Sequence, residues 1–216
     1  AGLMYFEKDI PRLQRQMKAK TWDRYIVGEL LHKRMVIIGY GDIGRCTAER
    51  AKAMGMSITA VRRSPTKASE EKDPFVEKEV VGKEAMMKAI AEADYVVMST
   101  PLTAETKGMM GAAELAMMKK DAIFVNVGRG PCVDEPALID ALKNKRIRAA
   151  VLDVTAVEPC PADNPLWDLE NVLLSPHCAD VTPSWRVDTM SLCVENTSRF
   201  IEGKPLLHVG NKSAGY

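Results

Sequence analysis

Short apolar runs alternate along this chain with stretches in which apolar residues recur at helical spacing. Six runs are short and rich in β-branched or aromatic residues, which is typical of buried parallel strands. They are Met35–Ile38, Ser57–Val61, Tyr95–Met98, Ala122–Val127, Ala149–Val154 and Val172–Leu174. The helical stretches between them are Arg45–Met54, Lys83–Ala91, Ala112–Met118 and Glu135–Lys143. This alternation predicts an α/β fold, with a doubly wound parallel sheet and helices on both faces.

Two segments lie outside the predicted sheet. Residues 9–20 predict an amphipathic helix with Pro11 in its first turn, and residues 184–203 predict a longer helix that ends near Gly203 and Pro205. We therefore predict three parts. They are an N-terminal linker helix within residues 1–25, the α/β domain over residues 26–182, and a C-terminal helix and tail over residues 183–216.

The first predicted strand runs directly into a glycine-rich turn, GYGDIG at residues 39–44. Such a turn between a strand and a helix seats a dinucleotide pyrophosphate. Gly39 allows the tight turn, Gly41 lets the backbone approach phosphate, and Gly44 lets the helix pack close to the strand. The motif alone is weak evidence, since a turn kept for packing also uses glycines. Its position between strand and helix favours a Rossmann-type dinucleotide-binding domain over residues 26–182.

The end of the second predicted strand indicates which dinucleotide would bind. A carboxylate there would bind the ribose 2′-hydroxyl of NAD, whereas this chain has Arg62 followed by Arg63 and Ser64. Two guanidinium groups and a hydroxyl suit a 2′-phosphate, and guanidinium groups offer no acceptor to a free hydroxyl. The sequence therefore favours NADP(H) over NAD(H).

Composition argues against several other classes of protein. The chain of 216 residues is long enough for a substantial core, and its formal charge of +1 gives no reason to expect binding to nucleic acid or membranes. Five scattered cysteines without a Cys-x-x-Cys pattern argue for a reducing compartment and against a disulfide framework or a metal site. We expect a cytoplasmic protein. Organellar targeting stays open because the chain begins as if in the middle of a protein.

Three later motifs, each after a predicted strand, supply an arginine, a glutamate and a histidine. They are NVGRG at residues 126–130, LDVTAVEP at 152–159 and SPHCA at 175–179. Arg129 can pair with a carboxylate and polarise a carbonyl oxygen, and His177 can give that oxygen a proton. Glu158 can hold the tautomer of the histidine. With a hydride from the cofactor, these groups suffice to reduce a 2-oxo acid.

Each of these residues also has a plain structural interpretation. Taken singly, Arg129 fits a solvated loop, Glu158 fits a loop carboxylate, and His177 fits a histidine bonded within the protein. Cys178 beside the histidine could act as a nucleophile, although a small packed thiol is the commoner role. The shared position of the three motifs at strand ends, where ligands bind in open α/β sheets, favours function.

The combination of motifs resembles the D-isomer-specific 2-hydroxyacid dehydrogenase family over nearly the whole chain. The resemblance rests on the glycine turn, TPLT at residues 100–103, ET at 105–106, NVGRG at 126–130 with VDE at 133–135, Asp153 with Glu158-Pro159, PLW at 165–167, and PH at 176–177. It implies NAD(P)-dependent interconversion of a small 2-oxo acid and its D-2-hydroxy acid. The implied catalytic trio is Arg129, Glu158 and His177.

The same resemblance implies the residues that bind the cofactor. Asp42 and Ile43 would cradle the pyrophosphate, and Asp153 would hold the nicotinamide carboxamide. The residues expected to line the rest of the cofactor are Thr100, Pro101, Val127 and Gly128. Thr155 and Cys178 depart from the common pattern of the family, which leaves the identity of the substrate open.

Members of the family carry a second lobe, formed mostly upstream of the linker helix, and roughly 100 residues of it are absent here. We therefore expect a fragment that binds the cofactor with weak or no turnover, because closure of two lobes completes the site. Two alternatives stay open: a non-catalytic, corepressor-like member, and a stand-alone binding module. The family also implies a homodimer, with apolar surface around Trp22 and over Glu105–Met118.

Overall fold

The computed structural model describes residues 1–65 and 72–210, and these form one parallel sheet with helices on both faces. The sheet has seven strands in the order β3-β2-β1-β4-β5-β6-β7. The strands are Arg34–Ile38 (β1), Ser57–Arg62 (β2), Lys78–Val81 (β3), Tyr95–Met98 (β4), Ile123–Asn126 (β5), Ala149–Leu152 (β6) and Val172–Leu174 (β7). The predicted fold class is confirmed, and six of these strands match the apolar runs to within two residues at each end.

Helices connect the strands and extend beyond them at both ends of the sequence. The helices are Gly2–Glu7 (α1), Ile10–Ala19 (α2), Asp42–Ala53 (α3), Lys83–Glu92 (α4), Ala112–Met117 (α5), Glu135–Lys143 (α6) and Trp185–Ile201 (α7). Short 3₁₀ turns lie at Gly130–Cys132 and Pro165–Asp168. The helix predicted over residues 9–20 is α2, and a second helix that was not predicted, α1, precedes it within residues 1–25. Asp9 separates them in a left-handed conformation and caps α2 through its side chain.

The core has two halves, one on each face of the sheet. Because side chains alternate along a strand, Val36 and Ile38 of β1 pack into one half while Met35 and Ile37 pack into the other. Helices α4, α5 and α6 cover the first face, and α1 and α3 cover the second. Both faces of the central strands are therefore dry, which explains their unbroken apolar sequences.

Two elements were not predicted from the sequence. Strand β3 lies at the sheet edge and buries only Val80 of its four residues, so its sequence KEVV lacks an apolar run. Helix α1 has six residues, and its apolar and aromatic residues follow one another directly as LMYF, so that no helical period shows in the sequence. Both elements are held by tertiary contacts rather than by a local pattern.

A buried carboxylate fixes α1 against the sheet. Glu7 is 4 % exposed, and its Oε1 accepts hydrogen bonds from the Tyr95 hydroxyl at 3.0 Å and from Arg148 Nη1 at 2.8 Å. Arg148 also donates to the backbone oxygen of Phe6 at 2.7 Å. Burial, together with the Glu7 carboxylate, raises the pKa of Tyr95 well above its ordinary value, so this hydroxyl stays a donor. The network joins α1 to strand β4 and to the segment before β6.

Helix α7 presents a row of apolar side chains to solvent. Val187, Met190 and Val194 recur at helical spacing and are 66 %, 62 % and 66 % exposed. Among the helices in the described part of the chain, none is long and apolar enough to cross a membrane.

Removal of the Arg148 guanidinium should lower the free energy of unfolding more than removal of an exposed cation. We expect Arg148→Met to lower the free energy of unfolding by about 2 kcal/mol, because it leaves the Glu7 carboxylate buried without its cation. Urea denaturation followed by circular dichroism measures this change. The control is Lys88→Met, which removes an exposed pair with Glu84 and should cost less than about 0.5 kcal/mol. Equal effects of the two substitutions would contradict the role assigned to Glu7.

Candidate active site

A cavity of about 820 Å³ opens at the carboxyl ends of β1, β2, β4 and β5. The strand order reverses between β1 and β4, which is where open α/β sheets bind their ligands. Most of the residues predicted to bind a cofactor line this cavity, and so does Arg129. The predicted residues in its lining are Gly39, Gly41, Asp42, Ile43, Arg62, Arg63, Ser64, Thr100, Pro101, Val127, Gly128 and Arg129.

The floor of the cavity is made by three backbone turns in close contact. Gly39 has a φ of +89°, and a Cβ atom built on it would lie 2.9 Å from the backbone nitrogen of Thr100. A Cβ atom on Gly128 would lie 2.7 Å from the backbone oxygen of Thr100. Neither turn could carry a side chain without separation of the strand ends. The glycines therefore allow the three strand ends to approach one another in the lining of the cavity.

The other two glycines of the first turn differ in what surrounds them. A Cβ atom on Gly44 would lie 2.5 Å from the backbone oxygen of Gly39, so this glycine serves the packing of α3 against the turn and lies behind the cavity. A Cβ atom on Gly41 would meet no heavy atom of the described residues within 4 Å, and Gly41 lines the cavity. Its bare backbone is thus open to a ligand at the N-terminus of α3.

A buried polar atom also points to a ligand in this cavity. The hydroxyl of Thr100 is buried and has no hydrogen-bond partner among the residues that the structure describes. Buried hydroxyls normally have a partner, and a ligand in the cavity that Thr100 lines would supply one. The open backbone of Gly41, the helix N-terminus and this hydroxyl together fit a dinucleotide.

Arg62 is held at the wall of the cavity by two neighbours. Its guanidinium carbon lies 4.7 Å from the centre of the Tyr40 ring, and its Nε lies 2.8 Å from Oε2 of Glu79. Burial raises the pKa of Tyr40 to about 12, with a further contribution from Asp73, so the ring stays neutral beneath the cation. Arg62 is therefore a placed group rather than a freely moving surface arginine.

Several residues of the cavity lining were not predicted as site residues. They are Tyr40, Val61, Gly82, Lys83, Met86, Ser99, Thr103, Glu105, Thr106 and Met109. Thr103, Glu105 and Thr106 belong to motifs that carried the family resemblance, so a signal for them was present. Gly82 and Lys83 follow β3, and they were missed because that strand was missed.

Arg129 lies on a loop whose conformation is held by hydrogen bonds within the loop. The side chain of Asn126 accepts a bond from the backbone N–H of Gly128 at 3.0 Å and donates to the backbone oxygen of Arg129 at 3.2 Å. The guanidinium of Arg129 donates from Nη1 to the backbone oxygen of Gly128 at 2.7 Å. The remaining donors of this exposed side chain are available to an anion at the mouth of the cavity.

Glu158 and His177 form a direct pair. His177 Nδ1 lies 2.7 Å from Oε2 of Glu158, and the other carboxylate oxygen accepts the backbone N–H of Thr155 at 3.1 Å. The two side chains are 37 % and 43 % exposed. With Nδ1 engaged by the carboxylate, Nε2 is the ring atom left to exchange a proton with a substrate. Neither Glu158 nor His177 lines the cavity that the described residues form.

The loop that carries Glu158 is anchored at two points by Glu135. One carboxylate oxygen of Glu135 accepts the backbone N–H of Ala156 at 2.7 Å, and the other accepts the side-chain amide of Asn164 at 2.8 Å. A side chain on Gly130 would collide with the backbone oxygen of Thr155. The loops of Arg129 and Glu158 are therefore packed directly against each other.

Asp153 is buried and bonded within the protein. Its carboxylate accepts Ser175 Oγ at 2.6 Å and the backbone N–H groups of Cys178 and Ala179, each at 3.1 Å. Burial by itself raises the pKa of Asp153, but these hydrogen bonds and the nearby His177 outweigh it and hold the pKa below its ordinary value. Asp153 thus orders the segment around His177, and its predicted contact with the nicotinamide stays a prediction.

Comparison with known proteins places this geometry in a family. The sequence model described as the NAD binding domain of D-isomer specific 2-hydroxyacid dehydrogenases matches residues 1–179. The chain belongs to this family, as its motifs predicted.

Within residues 1–65 and 72–210, no group of three or more His, Cys, Asp or Glu side chains could hold a metal ion.

Two curated relatives illustrate the range of the family. D-3-phosphoglycerate dehydrogenase of Methanocaldococcus jannaschii is 36 % identical over 214 residues, which cover 94 % of this chain and 38 % of the relative. Glyoxylate/hydroxypyruvate reductase B of Salmonella newport is 39 % identical over 173 residues, which cover 80 % of this chain and 52 % of the relative. The chain thus spans about half of these relatives or less.

Solved structures agree with the fold. The D-isomer specific 2-hydroxyacid dehydrogenase of Xanthobacter autotrophicus in complex with NADPH and MES has a TM-score of 0.87 at 34 % identity, over 99 % of this chain and 85 % of that one. The NADPH-dependent glyoxylate/hydroxypyruvate reductase of Sinorhizobium meliloti, solved with NADP and sulfate, has a TM-score of 0.88 at 26 % identity. That match covers 99 % of this chain and 66 % of the other.

The ionised form of Asp153 should make stability depend on pH. Because its pKa is lower in the folded than in the unfolded chain, its contribution is complete above the unfolded pKa and is lost as the pH falls through the folded one. We expect Asp153→Asn to lower the free energy of unfolding by about 2 kcal/mol from pH 7 down to about pH 4. Below that pH the gap to the parent protein should narrow.

Urea denaturation at a series of pH values gives this gap directly. The matched control is Asp163→Asn, at an exposed position, which should leave the free energy of unfolding nearly unchanged at every pH. A gap between Asp153→Asn and the parent that stays constant down to pH 3 would show that the ionised carboxylate is not what holds the segment.

Proposed function

We propose that this chain provides the cofactor-binding and catalytic half of an NADP(H)-dependent reductase of small 2-oxo acids, which forms the D-2-hydroxy acid. The observation that carries the proposal is the 2.7 Å contact between Glu158 and His177. This pair lies on loops after β6 and β7, at the same edge of the sheet as the cavity. An acid–base pair beside a dinucleotide cavity suits hydride transfer to a carbonyl group coupled to proton transfer.

The three catalytic residues divide the work. Arg129 binds the carboxylate of the substrate and polarises the adjacent carbonyl oxygen through its donors. His177 gives that oxygen a proton from Nε2 in the direction of reduction and takes it back in the direction of oxidation. Glu158 fixes the orientation of the ring and its tautomer. A bound reduced nicotinamide supplies the hydride.

The preference for NADP(H) is supported by the position of three polar residues. Arg62, Arg63 and Ser64 follow one another at the end of β2 and line the cavity. Their guanidinium and hydroxyl groups suit a 2′-phosphate. The Xanthobacter and Sinorhizobium relatives were solved with NADPH and NADP, which is consistent with this preference.

One observation favours a second candidate, a chain that binds the cofactor without turnover. Glu158 and His177 are more than a third exposed, and water at the reaction centre opposes hydride transfer. The corepressor-like and stand-alone alternatives both belong to this candidate.

The expected homodimer stays a prediction, supported by the full exposure of Trp22 and Ile26, at 96 % and 100 %.

The cofactor preference can be tested by fluorescence titration with NADPH and NADH. The parent chain should bind NADPH more tightly, and Arg62→Gln should weaken NADPH binding about tenfold while NADH binding changes little, because a charged contact to phosphate is lost. Arg50→Gln, on the exposed side of α3, is the matched control and should change neither affinity. Equal weakening of both dinucleotides by Arg62→Gln would argue against a 2′-phosphate site.

The reaction can be tested in the same samples. Addition of glyoxylate or hydroxypyruvate should lower the nicotinamide absorbance, slowly if the chain alone turns over weakly. His177→Gln should reduce this rate at least about a hundredfold without a change in NADPH affinity, since it removes the proton donor. His208→Gln in the exposed tail is the control. NADPH binding without oxidation would support the binding-only candidate, and oxidation that survives His177→Gln would overturn the assigned role.

A further inference from the structure

A carboxylate stands beside the arginine that is proposed to bind the 2′-phosphate. Oε2 of Glu79 lies 2.8 Å from Nε of Arg62, and both side chains are 27 % exposed. The pair is therefore partly shielded from water, and its charges interact more strongly than those of a fully exposed pair. This neighbour could not be predicted from the sequence, because Glu79 belongs to the unpredicted strand β3.

The register of the sheet keeps the two side chains together. Strands β2 and β3 are parallel, with Ala60 opposite Glu79 and Arg62 opposite Val81. Positions two apart on a strand share a face, so Glu79 and Arg62 lie diagonally across the same face of the two strands. Their contact thus follows from strand pairing and does not depend on one chance rotamer.

Arg62 is fixed on its other side as well. Its guanidinium carbon lies 4.7 Å from the centre of the Tyr40 ring, and its Nη1 lies 3.4 Å from the backbone oxygen of Tyr40. The guanidinium is consequently held between an aromatic ring and a carboxylate at the wall of the cavity. A phosphate that approaches this group meets a cation whose charge is already shared with Glu79.

We infer that Glu79 is a specificity-determining residue, which limits the preference for the phosphorylated dinucleotide by competing with the 2′-phosphate for Arg62. A 2′-phosphate brings nearly two negative charges to the neighbourhood of the Glu79 carboxylate, whereas a 2′-hydroxyl brings none. The carboxylate therefore raises the free energy of the NADP(H) complex and leaves that of the NAD(H) complex nearly unchanged. This inference rests on the proposed binding of NADP(H) at Arg62.

A second cation of the cavity lining, whose side chain is 76 % exposed, also pairs with a glutamate. Nζ of Lys83, at the start of α4, lies 2.9 Å from Oε1 of Glu114, whose side chain is 6 % exposed. Together, Glu79 and Glu114 offset part of the positive charge that the cavity wall presents. Glu79 has the greater effect on cofactor choice, since it contacts the arginine at the end of β2.

Titration of Glu79→Gln with NADPH and with NADH tests the inference. Glutamine keeps the size and polarity of the side chain but removes the negative charge. We expect NADPH to bind about fivefold more tightly than to the parent, and NADH to bind within about twofold of the parent affinity. The gain for NADPH should shrink as salt is added, because it is electrostatic.

The matched control is Glu77→Gln, because Glu77 precedes the same strand and pairs with Lys52 on α3 at 2.6 Å. It should leave both affinities unchanged. Glu79→Ala serves as a second charge-removing variant and should also tighten NADPH binding, and urea denaturation of each variant verifies that it is folded. Two results would overturn the inference: an unchanged affinity for NADPH, or a weakened one, which would show that Glu79 mainly orients Arg62.

The titrations distinguish a failure of this inference from a failure of the proposed function on which it rests. If the parent chain binds neither dinucleotide, the proposed cofactor site is wrong. If the parent binds NADPH and Glu79→Gln changes nothing, the site stands and only the competition by Glu79 is wrong.

Discussion

The site depends on the close packing of backbone around Thr100. The turns after β1 and β5 both press glycines against the backbone of this residue, so that the ends of three neighbouring strands meet without side chains between them. This contact brings the helix N-terminus, the Thr100 hydroxyl and the loop of Arg129 around one cavity. A single methyl group at Gly39 or Gly128 would push these elements apart, since packed interiors leave no room to absorb it.

The side of the site that carries the proposed acid–base pair is built by polar anchors rather than by packing. Glu135 fixes the loop that carries Glu158, and Asp153 orders the segment that carries His177. His177 itself adopts a left-handed backbone conformation, with a φ of 50°, and its N–H donates to the backbone oxygen of Asp153 at 2.8 Å. The proposed acid–base pair is thus positioned within this chain, by loops that rest on one sheet.

Elements with a local signature could be predicted from the sequence, and those held by distant contacts could not. The strands near the centre were visible as apolar runs because both of their faces are buried, and the glycine turn was visible because its spacing follows from the ligand. Strand β3 escaped detection, since an edge strand with one buried residue has no apolar period. Because β3 was not predicted, the contact of Arg62 with Glu79 was not predicted either, although Arg62 itself was predicted as a site residue.

The same limit applies to the hydrogen bonds of Asp153. Its position after a strand pointed to the ligand-binding edge, and the structure places it there. That both of its oxygens accept bonds from residues 175–179 could not be inferred, because those partners lie more than twenty residues further along the chain. A motif identifies a residue, whereas the direction in which its side chain points depends on strand pairing and loop packing.

The pairing of Arg62 with Glu79 has a consequence for any attempt to redesign the cofactor choice of this fold. The usual exchange would replace the arginine at the end of β2 with an acid, so that it could bind a ribose hydroxyl. In this chain Arg62→Asp would set two carboxylates diagonally across the same face of neighbouring strands and would remove the guanidinium that pairs with Glu79. Conversion would therefore require matched changes on two strands, so that the edge strand becomes part of the design problem.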